Sequence, residues 1–210
     1  MLEILLMRHG ETHWNREGRV QGYHADSPLT ETGLEQARAL ARRMATEALD
    51  ALYSSDTGRT RQTVAPIVLS TRLPVNFDSR LRERNYGTFE GKTFLEVERD
   101  FPEAYAHFRT RDPHFAAAGG ESTVQFHDRV IQAFERIASQ AVGARIAVVA
   151  HGGVLGVMYR HAMNMPIEAP RNYTIANASI NRFGYERGAW RILEWGDVSH
   201  LPATSLDDLG

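Results

Sequence analysis

Two short apolar segments, each ending in histidine and glycine, constrain the fold of this chain more than any other feature. Residues 144–150 (ARIAVVA) are rich in β-branched side chains and uncharged after Arg145, and residues 4–7 (ILLM) form a similar run near the N-terminus. Continuous apolar runs of this length are typical of strands that are buried on both faces of a parallel sheet. The sequence therefore predicts an α/β protein.

A cation and two imidazoles follow these predicted strands. Arg8 and His9 come directly after residues 4–7 and precede Gly10, and His151 precedes two glycines. Ligands of open α/β sheets bind beyond the carboxyl ends of the strands, so we expect these side chains to lie at one edge of the sheet. A cation beside an imidazole suits an anion whose reaction needs a nucleophile or a proton carrier.

Strand and helix signals continue along the chain and predict a single domain over residues 1–210. Capping boxes at Thr32–Glu35 and Ser122–Gln125 are expected to start two of the helices. Beyond residue 198 we expect a frayed tail. The pattern predicts a loop at 14–27, strands at 50–55 and 73–77, helices at 32–44, 59–68, 94–112 and 122–140, and a terminal hairpin around 184–188.

The composition argues against several classes of protein. The formal net charge is -2, so neither a nucleic-acid binder that relies on bulk charge nor a polybasic membrane anchor is indicated. The chain has no cysteine, which excludes disulfides, thiolate catalysis and Cys-ligated metal. We find no signal-peptide pattern, no apolar run long enough to span a bilayer and no pattern that indicates an oligomeric state. We therefore expect a cytoplasmic protein whose partner is a small molecule.

A further arginine is expected at the start of a helix. Arg59 follows the strand-like residues 50–55 and a polar turn, so it would lie in the first helical turn. Cations are disfavoured there because the helix dipole is already positive, but a nearby anion would explain one. The loop at 14–27 adds Asn15 and Gln21 as candidate ligand contacts.

Residues 81–91 (LRERNYGTFEG) offer a carboxylic acid. The segment has two glycines and charged side chains beside aromatic ones, which is typical of a loop that holds a carboxylate in a partly buried place. Burial raises the pKa of a carboxyl group and makes it usable as a general acid. The segment by itself does not distinguish Glu83 from Glu90 in this role.

Three kinds of chemistry could use two histidines, two arginines and a carboxylic acid. A metal site is disfavoured, because Arg8 beside His9 repels a cation and the chain has no HExxH motif or carboxylate cluster. A phosphate-binding module would need the arginines but not the acid. A phosphoryl-transfer enzyme would use every part, namely a cationic cradle, a nucleophilic imidazole and a proton donor for the leaving oxygen.

The order and spacing of these motifs resemble the histidine phosphatase superfamily, also called the phosphoglycerate mutase-like family. The resemblance covers essentially the whole chain, and no position that matches the catalytic motif departs from the family pattern. The matching segments are residues 6–12 (LMRHGET), 14–15 (WN), 21–22 (QG), 28–30 (PLT), 33, 36–37 (QA), 54–63 (SSDTGRTRQT), 81–91, 120–122 (GES) and 149–153 (VAHGG).

The resemblance implies a three-layer α/β/α sandwich with a mostly parallel sheet, and a role for each matching residue. His9 would be the nucleophile that becomes phosphorylated, and Glu83 would protonate the leaving group and later activate water. Arg8, Arg59 and His151 would bind the phosphoryl group and the charge of its transition state. The implied substrate-binding residues are Arg8, Asn15, Gln21, Gly22, Arg59, His151 and Gly152, with no metal ligand.

The expected activity is hydrolysis of a small phosphomonoester without metal or cofactor. A cofactor-dependent phosphoglycerate mutase using 2,3-bisphosphoglycerate is the alternative, because residues 83–87 (ERNYG) are similar to the mutase pattern; however, the chain is shorter than the typical mutase. A non-catalytic phosphate-binding protein is the second alternative, although binding alone gains nothing from a carboxylate beside an anion. The pocket rim is expected to include Tyr23, His24, Arg84, Asn85, Tyr86, Phe115 and Glu121.

Overall fold

The structure, a computed structural model, describes residues 1–202. Strands and helices alternate over most of this length, as the sequence predicts. In chain order they are β1 (Leu2–Arg8), α1 (His13–Glu17), α2 (Glu31–Met44), β2 (Ala51–Ser54), α3 (Gly58–Thr71), β3 (Val75–Phe77), α4 (Phe94–Asp100), α5 (Pro102–Arg109), α6 (Thr123–Gln140), β4 (Arg145–Ala150), α7 (Gly152–Ala162), β5 (Ile180–Glu186) and β6 (Ala189–Asp197).

These strands form a six-stranded sheet in the order β3-β2-β4-β1-β5-β6. The first four strands run parallel, and the terminal hairpin β5–β6 adds two antiparallel strands. Arg8 is opposite Ala150 in the ladder between β1 and β4, so both strands end at the same level. The residues that follow them, His9 and His151, therefore leave the sheet side by side.

Helices cover both faces of the sheet. Ile4 and Leu6 of β1 pack in a cluster with residues of α6 and α7, whereas Leu5 and Met7 pack in a second cluster with residues of α2 and α3. Successive side chains of a strand point to opposite faces, so burial on both faces requires the continuous apolar run seen in the sequence. The three-layer α/β/α sandwich with a mostly parallel sheet is confirmed.

Two local predictions near the N-terminus are wrong. Residues 14–27 are not loop throughout, because α1 forms there with a capping box between Thr12 and Asn15. Helix α2 begins after Thr30 instead of at the predicted Thr32 box, and the Thr30 side chain accepts a hydrogen bond from the Gly33 amide at 3.0 Å. The Thr30 hydroxyl also donates to the Glu11 carboxylate at 2.7 Å, a tertiary contact that local pattern does not reveal.

The predicted helix at 94–112 is two helices that meet at Phe101. Pro102 occupies the first turn of α5, where its missing N–H is no loss, but it cannot continue α4. The Ser122–Gln125 capping box at the start of α6 is confirmed.

Part of the tail that the sequence predicts to be frayed beyond residue 198 is packed against the rest of the protein. The ring nitrogen Nε2 of His200 lies 3.0 Å from the Ala178 carbonyl oxygen, and Leu201 packs against the α2–α3 side of the core. The rest of the predicted tail, residues 203–210, lies outside the described residues. Within residues 1–202, no helix is long and apolar enough to cross a membrane.

Candidate active site

His9 is held at the carboxyl end of β1 in one orientation. Its side chain is 3% exposed, and its Nδ1 lies 2.8 Å from the Gly10 carbonyl oxygen. Because a carbonyl can only accept a hydrogen bond, the proton of the neutral ring is on Nδ1 and the lone pair is on Nε2. Burial, together with the charges of Arg59 and Arg8, holds the pKa of His9 well below its usual range. The lowered pKa favours the neutral ring, which carries its lone pair on Nε2.

His151 stands beside His9 at the end of β4. The two ring centroids are 5.4 Å apart at an interplanar angle of 63°. Its Nε2 lies 2.8 Å from the Ser55 hydroxyl oxygen, while its buried Nδ1 has no hydrogen-bond partner among residues 1–202. Burial and the nearby charge of Arg59 also lower the pKa of His151 well below its usual range. A buried ring nitrogen without a partner is a place where a ligand can bind.

Arg8 and Arg59 are both buried near these rings. Nη1 of Arg8 donates to the Ile175 carbonyl at 2.6 Å. Arg59 lies in the first turn of α3, as predicted, but the anion beside it belongs to the protein: its Nη1 donates to the Asp26 carboxylate at 2.7 Å. Its Nη2 donates to the Gly22 carbonyl at 3.1 Å, and its buried Nε has no partner in the described residues.

The structure separates the two carboxylates of the 81–91 segment. Glu83 lines the same cavity as His9, and its two oxygens accept hydrogen bonds from the Arg84 and Gly153 amides, each at 2.8 Å. Burial raises the pKa of Glu83, although these two amides and the charges of Arg59 and Arg8 oppose the shift. Glu90 instead accepts hydrogen bonds from the backbone amides of residues 23–25 and 86.

These side chains lie around one cavity of about 760 Å³. Arg8, His9, Arg59 and Glu83 line its inner part, and the aromatic side chains of Phe94, Tyr105, Phe108 and Phe115 are also in its wall. A volume of this size is within the usual range for small-molecule sites and exceeds what a phosphoryl group fills. The cavity therefore has room for a leaving group.

The other expected contacts divide into two sets. Asn15, Gln21 and Gly152 line the cavity, whereas His151 and Gly22 are not among its lining residues. His151 contacts the cavity-lining His9 ring, and the Gly22 carbonyl accepts a hydrogen bond from Arg59. Of the expected rim residues, Arg84, Tyr86 and Phe115 line the cavity; those that do not are Tyr23, His24, Asn85 and Glu121.

This geometry agrees with a match to a known family model over nearly the whole chain. The model of the histidine phosphatase superfamily (branch 1) matches residues 4–198. The chain belongs to the histidine phosphatase superfamily. A curated relative from Shigella dysenteriae serotype 1, named "Probable phosphoglycerate mutase GpmB", is 38% identical over an alignment of 218 positions that spans 100% of this chain and 99% of the relative.

Solved structures of this superfamily share the fold. YhfR of Bacillus stearothermophilus is 33% identical with a TM-score of 0.88, over 96% of this chain and 100% of that one. A mycobacterial glucosyl-3-phosphoglycerate phosphatase, solved with VO3, is 27% identical with a TM-score of 0.80, over 93% of this chain and 99% of that one. Both sequence and structure thus relate this member of the superfamily to proteins that are named as enzymes.

Several residues of the candidate site were missed by sequence reasoning. Asp26 binds Arg59, Ser55 binds His151, and Asn177 donates from Nδ2 to the His9 carbonyl at 3.1 Å. Arg129 binds the loop that carries Glu83. These contacts join residues far apart in sequence, so periodicity and local motifs carry no signal for them.

Proposed function

We propose that this protein is a metal-independent phosphomonoester hydrolase that acts through a phosphohistidine on His9. The observation that carries the proposal is the hydrogen bond from His9 Nδ1 to the Gly10 carbonyl oxygen, which leaves Nε2 as the nucleophile in a cavity shared with Glu83. Arginines bind phosphate oxygens through several N–H groups, and Arg8 and Arg59 are the cations beside this nucleophile.

In the first step, Nε2 of His9 attacks phosphorus and the bond between phosphorus and the leaving oxygen breaks. Glu83 gives its proton to that oxygen, so the alcohol leaves neutral and Glu83 becomes a carboxylate. The negative charge on the non-bridging oxygens is offset by Arg8 and Arg59, which line the cavity. The neutral His151 ring lies beside His9, and its Nδ1, which has no partner in the described residues, is proposed to donate one hydrogen bond to the phosphoryl group. Preorganised charges of this kind stabilise a phosphoryl-transfer transition state more than the ground state.

In the second step, the Glu83 carboxylate takes a proton from a water molecule that attacks the phosphohistidine. The bond between Nε2 and phosphorus breaks, inorganic phosphate forms, and both His9 and Glu83 return to their starting states. The same carboxyl group serves as acid and then as base, which its raised pKa permits because the two forms are then closer in energy near neutral pH.

The test is rapid quenching with a radiolabelled phosphomonoester. We expect a labelled protein intermediate that is stable in base and labile in acid, and no such intermediate in His9→Ala, whose rate should fall by more than about 10³-fold. EDTA should leave the rate unchanged. A wild-type protein that turns over without the intermediate, or that loses its activity in EDTA, contradicts the proposal.

A phosphoglycerate mutase is the second candidate function, because the relative from Shigella dysenteriae that aligns along the whole chain carries that name. The solved relative named as a glucosyl-3-phosphoglycerate phosphatase supports hydrolysis instead. Incubation with 3-phosphoglycerate and 2,3-bisphosphoglycerate distinguishes them. A hydrolase releases phosphate, whereas a mutase forms 2-phosphoglycerate with little release.

The remaining expectations are part of the same proposal. The partner is a small phosphomonoester, without nucleic acid or membrane, no cofactor is required unless the mutase function holds, and the location is cytoplasmic. A non-catalytic phosphate-binding role is disfavoured, because a buried carboxyl group such as Glu83 weakens anion binding when it ionises. A protein that binds vanadate tightly but turns over no ester in a broad phosphomonoester panel would favour that role.

A further inference from the structure

The side chain of Arg129 directs all of its hydrogen-bond donors to the loop that carries Glu83 and to Glu121. A guanidinium has five N–H donors. Nη1 donates to the carbonyl oxygens of Arg80 at 2.8 Å and Arg82 at 3.0 Å, and Nη2 donates to that of Glu83 at 3.2 Å. The Glu121 carboxylate accepts the remaining two, from Nε at 3.2 Å and from Nη2.

Glu121 holds the other side of the same loop. Its carboxylate accepts a hydrogen bond from the Asn85 amide at 2.9 Å, and its own amide donates to the Asn85 carbonyl at 2.9 Å. The backbone is therefore fixed both before and after Glu83. The fixed support is helix α6, whose start is set by the Ser122–Gln125 capping box and whose second turn carries Arg129.

Neither member of this ion pair lines the cavity. The side chains of Arg129 and Glu121 are only 18% and 17% exposed, so both charges have lost much of their hydration. Partly buried ion pairs add little stability, because desolvation offsets most of the attraction, and an apolar pair of similar volume often serves as well. A role in packing alone does not explain why the chain uses a five-donor cation here.

We propose that Arg129 is a positioning residue for the proton donor of the reaction. Together with Glu121 it fixes the backbone of Glu83, and the amides of Arg84 and Gly153 fix the carboxyl group at the other end. The carboxyl is thereby kept at the place where the leaving oxygen must be protonated. This inference rests on the proposed function, since it takes Glu83 as the proton donor.

The test compares two substrates that differ in how much they need an acid. The 4-nitrophenolate of 4-nitrophenyl phosphate leaves without a proton, whereas the alkoxide of glycerol phosphate does not. We expect Arg129→Gln to lower kcat/KM for glycerol phosphate by roughly 10- to 100-fold, because displacements near 1 Å can cost about 10²-fold. The value for 4-nitrophenyl phosphate should fall far less. The ratio of the two values does not depend on the folded fraction of a preparation.

Matched variants separate the contact between Arg129 and the Glu83 loop from other effects of losing an arginine on α6. Arg136 lies two turns further along α6 and donates to Asp78 at 2.5 Å, without a hydrogen bond to residues 80–85 in the described structure. Arg136→Gln should therefore leave the ratio unchanged. Arg129→Lys keeps the charge but has only three donors, so it should shift the ratio part of the way. Glu121→Gln should shift it in the same direction, and its effect should not add to that of Arg129→Gln.

Each outcome is assigned to one hypothesis. An equal loss of kcat/KM on both esters in Arg129→Gln overturns the positioning role and leaves a structural one. Glu83→Gln is the reference variant. It should change the ratio of the two kcat/KM values more than any other variant, because it removes the proton donor itself. If Glu83→Gln does not discriminate, Glu83 is not the proton donor, and the fault lies with the proposed function and not with Arg129.

Discussion

At the residue scale, the proposed chemistry depends on two pKa shifts in opposite directions. The proposed mechanism needs a neutral His9 and a protonated Glu83 at the same pH. In exposed side chains this combination is rare, because glutamate loses its proton at a lower pH than histidine does. Burial lowers the pKa of His9 and raises that of Glu83, so the two required states can coexist. Loss of hydration on burial is the first cause of both shifts, because it disfavours the charged form of each group.

We expect the pH profile of kcat/KM to have two limbs, one for the ionisation of each group. The ascending limb follows deprotonation of His9 and should lie below its ordinary 6.5, and the descending limb follows ionisation of Glu83 and should lie above its ordinary 4.5. Arg59 and Arg8 face Glu83 and limit its shift. The second ionisation of the substrate phosphate, near pH 6, is measured separately and removed.

The Glu83→Gln variant is the control for this profile. Its residual kcat/KM should keep the ascending limb and lose the descending one, because glutamine does not ionise. A descending limb that persists in this variant would assign it to another group.

At the scale of elements, the site depends on loops that are fixed by side chains outside the cavity. Glu90 is an example: its carboxylate accepts backbone hydrogen bonds from Tyr23 at 2.8 Å, His24 at 3.1 Å and Ala25 at 2.7 Å, and also from Tyr86. Residues 22–26 in turn supply the Gly22 carbonyl, the Ala25 carbonyl and the Asp26 carboxylate that hold Arg59. Glu90 thus supports the surroundings of Arg59 by holding residues 23–25.

We expect Glu90→Gln to weaken phosphate binding without removing a group that touches substrate. The glutamine NH2 would face backbone N–H donors, and leaving such buried groups unsatisfied costs about 1–3 kcal/mol. The inhibition constant of orthophosphate should rise several-fold and the melting temperature should fall. Glu98→Gln, on the exposed side of α4, is the matched control. An unchanged inhibition constant in a Glu90→Gln protein that is destabilised would contradict the link to Arg59.

At the scale of the whole molecule, a cluster of charged side chains lies at each end of the central strands β1 and β4. The carboxyl ends of β1 and β4 carry the site, and the opposite end carries an ion-pair network centred on Arg182. Its guanidinium contacts Glu3 at 2.7 Å, Glu47 at 2.6 Å and Glu194 at 3.0 Å, and Arg145 joins the same two inner carboxylates. This network ties β5 to the start of β1 and to the end of α2, far from the chemistry.

We expect Arg182→Met to reduce stability and not activity. Removing hydrogen bonds to charged, half-buried groups costs about 1.5–3 kcal/mol in the free energy of unfolding, measured by urea denaturation at pH 7. Burial raises the pKa of Glu47, but Arg182 and Arg43 together lower it by more, so the net shift is downward. The stabilisation is therefore present above the ordinary carboxyl pKa and is lost as pH falls through the lowered one.

The difference between wild type and Arg182→Met should accordingly shrink in acid, while kcat at pH 7 stays within about 2-fold. Arg38→Met, on the exposed face of α2, controls for loss of a surface charge. A difference that is constant with pH would assign the effect to packing instead of to the ion pairs.

Signals that lie within one short segment predicted most of the architecture. The apolar runs at 4–7 and 144–150 identified the central pair of strands, and the Ser122 capping box identified the start of α6. The same reasoning failed where a contact with a distant residue favoured a different local structure. Thr32 fits a capping box by spacing, but Thr30 caps α2, and its hydroxyl donates a hydrogen bond to the Glu11 carboxylate.

The sequence by itself therefore determined the α/β layering, the ends of β1 and β4 and the residue types that meet there, because burial on both faces of a strand and helix capping leave short-range patterns. The tertiary structure decided the rest. It placed Glu83 in the cavity and Glu90 under two loops, gave Arg59 the Asp26 carboxylate as a partner, and brought Arg129 to the backbone of Glu83. Hydrogen bonds between distant segments depend on how layers pack, and packing has no short-range pattern in the chain.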